Sequence, residues 1–258
     1  MNARPRLEAV ICDAGGTLIR VDFEWIARDL ERQGFATDAA TLRRAEIAGR
    51  RAYDASILAA PPDAPPPRGD QRAYHGGTLE AAGVPAELRE AAIDRCIARE
   101  KDRGLWIQPM EGAREALDAL AGLGLRLGVV SNSDGRAAFH LENADMRRGV
   151  EFVVDSHLVG IEKPDPAIFR VALGKFGTPP ERTLFVGDIR SIDEAGARAA
   201  EMNFVLLDPY GDYGDPGSPR ITGMHELAGW VEKNFRVPAR DEGAPPTRAH
   251  GVAGRGHE

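Results

Sequence analysis

Cysteine is nearly missing from this sequence. Cys12 and Cys96 are the only two in 258 residues, too few for a disulfide framework or a thiolate metal cage. Cys12 sits inside an apolar run, where a thiol behaves as a small buried hydrophobe. Also missing is any run of the roughly 20 apolar residues that a bilayer span requires, so no membrane association is expected. The N-terminal MNARPRLEAVIC has no long apolar stretch followed by a small-residue cleavage site, and no signal peptide is expected. Excess positive charge is lacking too. Against 40 acidic side chains stand 33 basic ones, a net −7, which gives no electrostatic footprint for nucleic acid. The six histidines show no metal-ligand spacing, and His75 and His140 read as surface residues. A small-molecule partner and a reducing cytoplasm are the expected setting.

What is present is ordinary for a globular protein, with 43% apolar and 28% charged residues. The length suits one large domain or a core with a smaller insertion. Leu7 to Cys12 reads as a buried strand that runs into the glycine-rich turn Asp13-Ala14-Gly15-Gly16. Phe23, Ile26, Ala27 and Leu30 then recur at helical spacing, with Gly34 as a stop. A second helix starts at Thr37 or Asp38 and continues through Leu42, Ala45 and Ala52. Pro61 to Asp70 reads as a loop, and Pro85 to Lys101 as another helix. The stretch from Val21 to Gly104 is therefore mostly helix, with no clear strand.

After it the periodicity alternates. Helices are expected at Glu111–Leu120, Arg136–Asn143, Pro166–Phe176, Ile192–Ala200 and His225–Phe235. Strands are expected at Leu125–Val130, Phe152–Val154, Thr183–Val186 and Phe204–Leu207. Such alternation specifies an α/β fold, a parallel sheet with helices on both faces. The expected division is a core of residues 1–20 and 105–237, a small helical cap domain at 21–104, and a disordered tail at 238–258.

Ligands of open parallel sheets bind beyond the carboxyl ends of the strands. Polar residues stand at four such places: Asp13 and Thr17, Ser131 and Asn132, Lys163, and Asp188 with Asp193. Singly, each has a plain structural explanation as a turn, a cap or a solvated charge. Together and in order, they make a chemical set. Asp13 can attack phosphorus or carbon as a carboxylate nucleophile. Gly15 and Gly16 let backbone N–H groups approach an anion. Ser131 and Asn132 can bond phosphate oxygens, and Lys163 can neutralise charge on both phosphate and nucleophile. Asp13, Asp188 and Asp193 form a hard oxygen site suited to Mg2+. In the helical stretch, Arg43, Arg44, Arg50, Arg51 and Tyr53 read first as a solvated face and second as a face toward a substrate anion. Trp106 and Trp230 read as packing residues.

In four segments the chain resembles the haloacid dehalogenase-like hydrolases, in order and spacing from Leu7 to Leu207. ICDAGGTL is similar to that family's Asp-x-Asp-Gly-Thr motif, LGVVSNSD to its strand ending in Ser or Thr, GIEKPDPAIF to its Lys-Pro-Asp-Pro motif, and LFVGDIRSIDEAGARAAEM to its acidic pair. The resemblance implies a Rossmann-like core, a cap that opens and closes over the site, Asp13 as nucleophile, Mg2+ as cofactor, and the Gly15 carbonyl as a metal ligand.

One position departs. Where the family's phosphatases carry a second Asp as acid and base, this chain has Gly15. General acid–base help is worth about 10²- to 10⁴-fold in rate. Three readings follow, in this order. The first is a Mg2+-dependent phosphatase of a small phosphorylated metabolite, slow or restricted to good leaving groups such as acyl phosphates. The second is C-halide or C–P bond hydrolysis. Against it stand the acidic pair, which haloacid dehalogenases generally lack, and a cap with Lys101 alone to form a Schiff base. The third is a protein that binds a phosphorylated ligand or a partner without turnover.

Overall fold

The computed structural model describes residues 4–59, 70–214 and 217–238. The loop expected at Pro61 to Asp70, save Asp70 itself, and the tail expected beyond Pro238 lie outside the described residues. The chain enters on β1 (Ala9–Cys12), turns through residues 13–18, and forms the short strand β2 (Ile19–Val21). Four helices follow: α1 (Phe23–Arg32), α2 (Ala39–Leu58), α3 (Gln71–Ala81) and α4 (Ala86–Arg103). Strand β3 (Trp106–Pro109) then pairs antiparallel with β2, Val21 opposite Trp106. The alternating part comprises α5 (Ala113–Gly122), β4 (Arg126–Ser131), α6 (Ala137–Asn143), β5 (Val150–Asp155), α7 (Ser156–Val159) and α8 (Pro166–Phe176). It ends with β6 (Thr183–Gly187), α9 (Ala195–Ala199), β7 (Asn203–Leu207), β8 (Arg220–Ile221) and α10 (Leu227–Asn234).

The main sheet has the order β5-β4-β1-β6-β7-β8, and every pair in it is parallel. Its strands feed two cores by simple alternation. Val10, Cys12, Leu184, Val186, Val205 and Leu207 face one cluster with α5 and α10. Ala9, Ile11, Phe185, Phe204 and Leu206 face the other with α8 and α9. Burial on both faces explains why these strands read as continuous apolar runs. A parallel α/β sheet with helices on both faces is thus what the sequence foretold.

The helical block packs around a third cluster that includes Phe23, Leu30, Leu42, Leu79, Ile93 and Leu105. Three of its four helices start at aspartates, and α4 starts after Pro85. Asp22 accepts from Trp25 N at 3.0 Å, Asp38 from Thr41 N at 2.7 Å and Asp70 from Arg72 N at 2.8 Å, satisfying amides that the first turn leaves open. Helix α3 was not foreseen, because Gly76 and Gly77 interrupt its sequence pattern. The glycines are there for contact: a Cβ on Gly77 would lie 2.8 Å from the Ala48 carbonyl, and one on Gly49 2.1 Å from Thr78 Oγ1. Helices α2 and α3 therefore touch nearly backbone to backbone. The β2–β3 ribbon was also not foreseen. It joins the helical block to the sheet at both of its ends.

Candidate active site

In this strand order β1 lies between β4 and β6, and the carboxyl ends of the three converge on one crevice. Asp13 follows β1, Ser131 ends β4, and Asp188 follows β6. A π-helical turn, Arg190–Glu194, carries Asp193 back toward the sheet. There Asp193 Oδ2 accepts from Asp188 N at 3.1 Å and Ile189 N at 3.0 Å. One oxygen from each of Asp13, Asp188 and Asp193 lies within 4.8 Å of the other two, and all three residues are buried. Lys163 is only 3% exposed. Its ammonium donates to Asp13 Oδ1 and, at 2.7 Å, to Asp193 Oδ1. Asn132 positions that lysine: its amide nitrogen donates to the Lys163 carbonyl at 2.9 Å, and its oxygen accepts from Lys163 N at 2.8 Å.

Burial pushes the Asp13 carboxyl up to about 6, with the Lys163 ammonium pulling the other way. Asp188 stands well above the ordinary carboxylate range, again through burial and against the pull of Arg50. For Lys163 burial favours the neutral amine, yet the Asp13 and Asp193 carboxylates win and hold it protonated above the usual lysine value. The three buried carboxylates face two cations, Lys163 beside Asp13 and Asp193 and Arg50 beside Asp188, and so keep a net negative charge. Asp188 Oδ1, moreover, has no hydrogen-bond partner. An orphaned buried oxygen within an all-oxygen set fits a hard divalent cation.

A cavity of about 410 Å³ opens on this centre, and Asp13, Gly15, Ser131, Asn132, Lys163, Asp188 and Asp193 all line it. Gly16 and Thr17 do not. The Gly16 N–H donates to Ile19 O at 2.7 Å, and a Cβ there would lie 2.3 Å from Asp188 Oδ2, so only glycine lets Asp188 approach the turn. Thr17 is fully buried, and its hydroxyl has no partner.

The helical block supplies a further part of the wall. Arg50 on α2, 5% exposed, reaches Asp188 Oδ2 at 3.4 Å and Asp212 Oδ2 at 2.6 Å. Tyr53, Tyr74, His75 and Trp106 also line the cavity. Arg44 and Arg51 are exposed and Arg43 is half-buried. His75 and His140, expected at the surface, are both buried cavity residues. Burial lowers the His75 imidazole to about 4 and lowers His140 as well. Trp106 packs, as expected, but it does so against Gly15. Sequence periodicity does not reach these residues, because their role depends on how the block docks. The one local signal is the aromatic pair Tyr74-His75 directly before two glycines. Lys101 is exposed on α4 and absent from the cavity wall. Among the described residues, no helix is long and apolar enough to cross a membrane.

A family model for haloacid dehalogenase-like hydrolases matches residues 7–201. Haloacid dehalogenase-like hydrolase domain-containing protein 3 of Xenopus laevis is 40% identical over 98 residues, 38% of this chain and 40% of that protein. Phosphoserine phosphatase of Thermus thermophilus is 35% identical over 140 residues, 54% of each chain. The chain thus spans about half the length of these curated relatives. Among solved structures, a dehalogenase with an intermediate complex superposes with a TM-score of 0.60 at 19% identity, over 88% of this chain and 98% of that one. At that identity the likeness concerns the fold alone.

Proposed function

The chain belongs to the haloacid dehalogenase-like hydrolases, and within that family we propose that it is a Mg2+-dependent phosphatase of a small phosphorylated metabolite, with Asp13 as nucleophile. The observation that carries this reading is the buried trio Asp13, Asp188 and Asp193 with the orphaned Asp188 oxygen. Displacement of halide from carbon by a carboxylate needs no such cation site, whereas attack of a carboxylate on a phosphate dianion does. Asp13, Asp188, Asp193 and the Gly15 carbonyl would hold the Mg2+, which would supply the positive charge that lets two anions meet.

This chain's residues do the remainder. With its carboxyl at about 6, Asp13 is ionised at neutral pH and available to attack. An Asp13 oxygen bonds to phosphorus as the bond to the leaving oxygen breaks, giving an aspartyl phosphate. Lys163 stays protonated, holds Asp13 in place and offers charge to the phosphoryl oxygens. Ser131 and the Asn132 backbone, which line the cavity, are the donors we assign to those oxygens. The cap role we assign to residues 21–104 is the exclusion of bulk water by α2 and α3.

Phosphate release from a panel of esters and acyl phosphates, with Mg2+ or with chelator, tests the reading. Release that needs both Mg2+ and Asp13 supports it. Metal-independent halide release from 2-haloacids would replace it with dehalogenation, and saturable ligand stabilisation without product would replace it with binding.

A further inference from the structure

Position 15 lies beside the nucleophile and faces the cavity. Its backbone is not in the left-handed region, so an ordinary side chain is conformationally allowed there. The space is filled from elsewhere. A Cβ on Gly15 would meet Trp106 Cε3 at 3.1 Å, Cζ3 at 3.4 Å and Cδ2 at 3.5 Å, so the three nearest atoms are all indole carbons. The β2–β3 pairing delivers the indole to this spot. Around it stand further rings. Tyr74 is 5.4 Å from Trp106, His75 is 5.3 Å from Tyr74, and Tyr53 is 6.5 Å from Tyr74. The Tyr74 hydroxyl is committed to Glu46 Oε1 at 2.6 Å, which leaves its ring as what it offers the cavity.

An aromatic wall and an unprotonated exit next to Asp13 ask for the same kind of leaving group. Resting on the phosphatase reading, we infer that the substrate is an aryl phosphate monoester whose ring stacks on Trp106. An Asp13 oxygen bonds to phosphorus while the P–O(aryl) bond breaks. The electron pair leaves on the aryloxide, which takes its proton from solvent. A phenol of pKa about 10 departs this way far more readily than an alkoxide. Water then adds to phosphorus as the Asp13 O–P bond breaks, restoring the carboxylate and releasing phosphate that keeps both of the water's protons. A cavity of about 410 Å³ accommodates a phosphate and one ring.

The test separates ring recognition from turnover. Titration calorimetry with phenylphosphonate and methylphosphonate, each with Mg2+, should give a dissociation constant at least about 10-fold lower for the phenyl compound. Trp106→Leu should reduce that ratio below about 3-fold, and Trp106→Phe should keep it. In kinetics, phenyl phosphate should exceed glycerol phosphate in kcat/KM by about 100-fold or more. Acetyl phosphate, which has no ring, reports on the phosphatase reading alone. Equal binding of the two phosphonates, or a Trp106→Leu effect equal on both, overturns the inference. So does alkyl phosphate turnover as fast as aryl. Absence of Asp13-dependent acetyl phosphate hydrolysis overturns the phosphatase reading instead, while the phosphonate ratio still decides the ring.

Discussion

Arg50 of α2 lies 3.4 Å from Asp188 Oδ2, so a guanidinium from the helical block neutralises part of the carboxylate set that a metal would occupy. Arg50 Nη2 also grips Asp212 Oδ2 at 2.6 Å, and both partners are buried. Cation and metal thus compete for Asp188. In Arg50→Met the local negative charge rises, and the Mg2+ dissociation constant should fall by roughly 10-fold or more. Calorimetric titration of wild type and variant measures it. Unchanged or weaker binding would remove the competition from the account.

Mg2+ should stabilise the native state in proportion to its occupancy. At a free concentration of 100 times the dissociation constant, the gain is about 2.7 kcal/mol. Chemical denaturation with and without Mg2+ reads it directly. In Asp188→Asn the gain should shrink to a small fraction of the wild-type value, because one of the three buried carboxylates is gone.

Among the described residues, Lys163 is the one ammonium between Asp13 and Asp193. Its removal leaves two buried carboxylates facing each other, and breaking a buried pair in this way costs about 3–5 kcal/mol. Lys163→Met should therefore unfold at lower denaturant in chelator, and Mg2+ should recover part of the loss. A variant as stable as wild type in chelator would mean that the site relaxes by protonating a carboxylate.

His75 gives a pH signature. Its folded value, about 4, lies below the ordinary 6.5, so the unfolded chain binds the extra proton between these values. Its contribution is present above pH 6.5 and is lost as pH falls toward 4. The full difference amounts to roughly 3 kcal/mol. The stability difference between wild type and His75→Phe should shift by that amount, in favour of the variant, across this window. Urea denaturation at a series of pH values checks it, and a constant difference would contradict it.

Much of this architecture was legible in the chain. Strands such as Ala9–Cys12 and Thr183–Gly187 are buried on both faces, so their apolar runs announce them. The core half of the site follows, since Asp13, Ser131 and Asp188 are fixed by where those strands end. Helix α3 was hidden because Gly76 and Gly77 serve contact with α2 rather than helix propensity. Trp106, Tyr74 and His75 were hidden for a different reason. Each reaches the cavity only once the helical block has folded and docked, a relation between distant segments that leaves no local period. Thr17, near the nucleophile in sequence, is fully buried and is not among the residues that line the cavity.

The central claim is that Asp13 is phosphorylated during turnover. No side chain at Gly15 activates water, so the second step should be slow and the aspartyl phosphate should accumulate. Borohydride reduction during steady-state hydrolysis of acetyl phosphate, followed by peptide sequencing, reads the trapped residue. The account predicts homoserine at position 13 in the presence of Mg2+, and none in chelator. Phosphate release with unmodified Asp13, or with the modification on another residue, would contradict it.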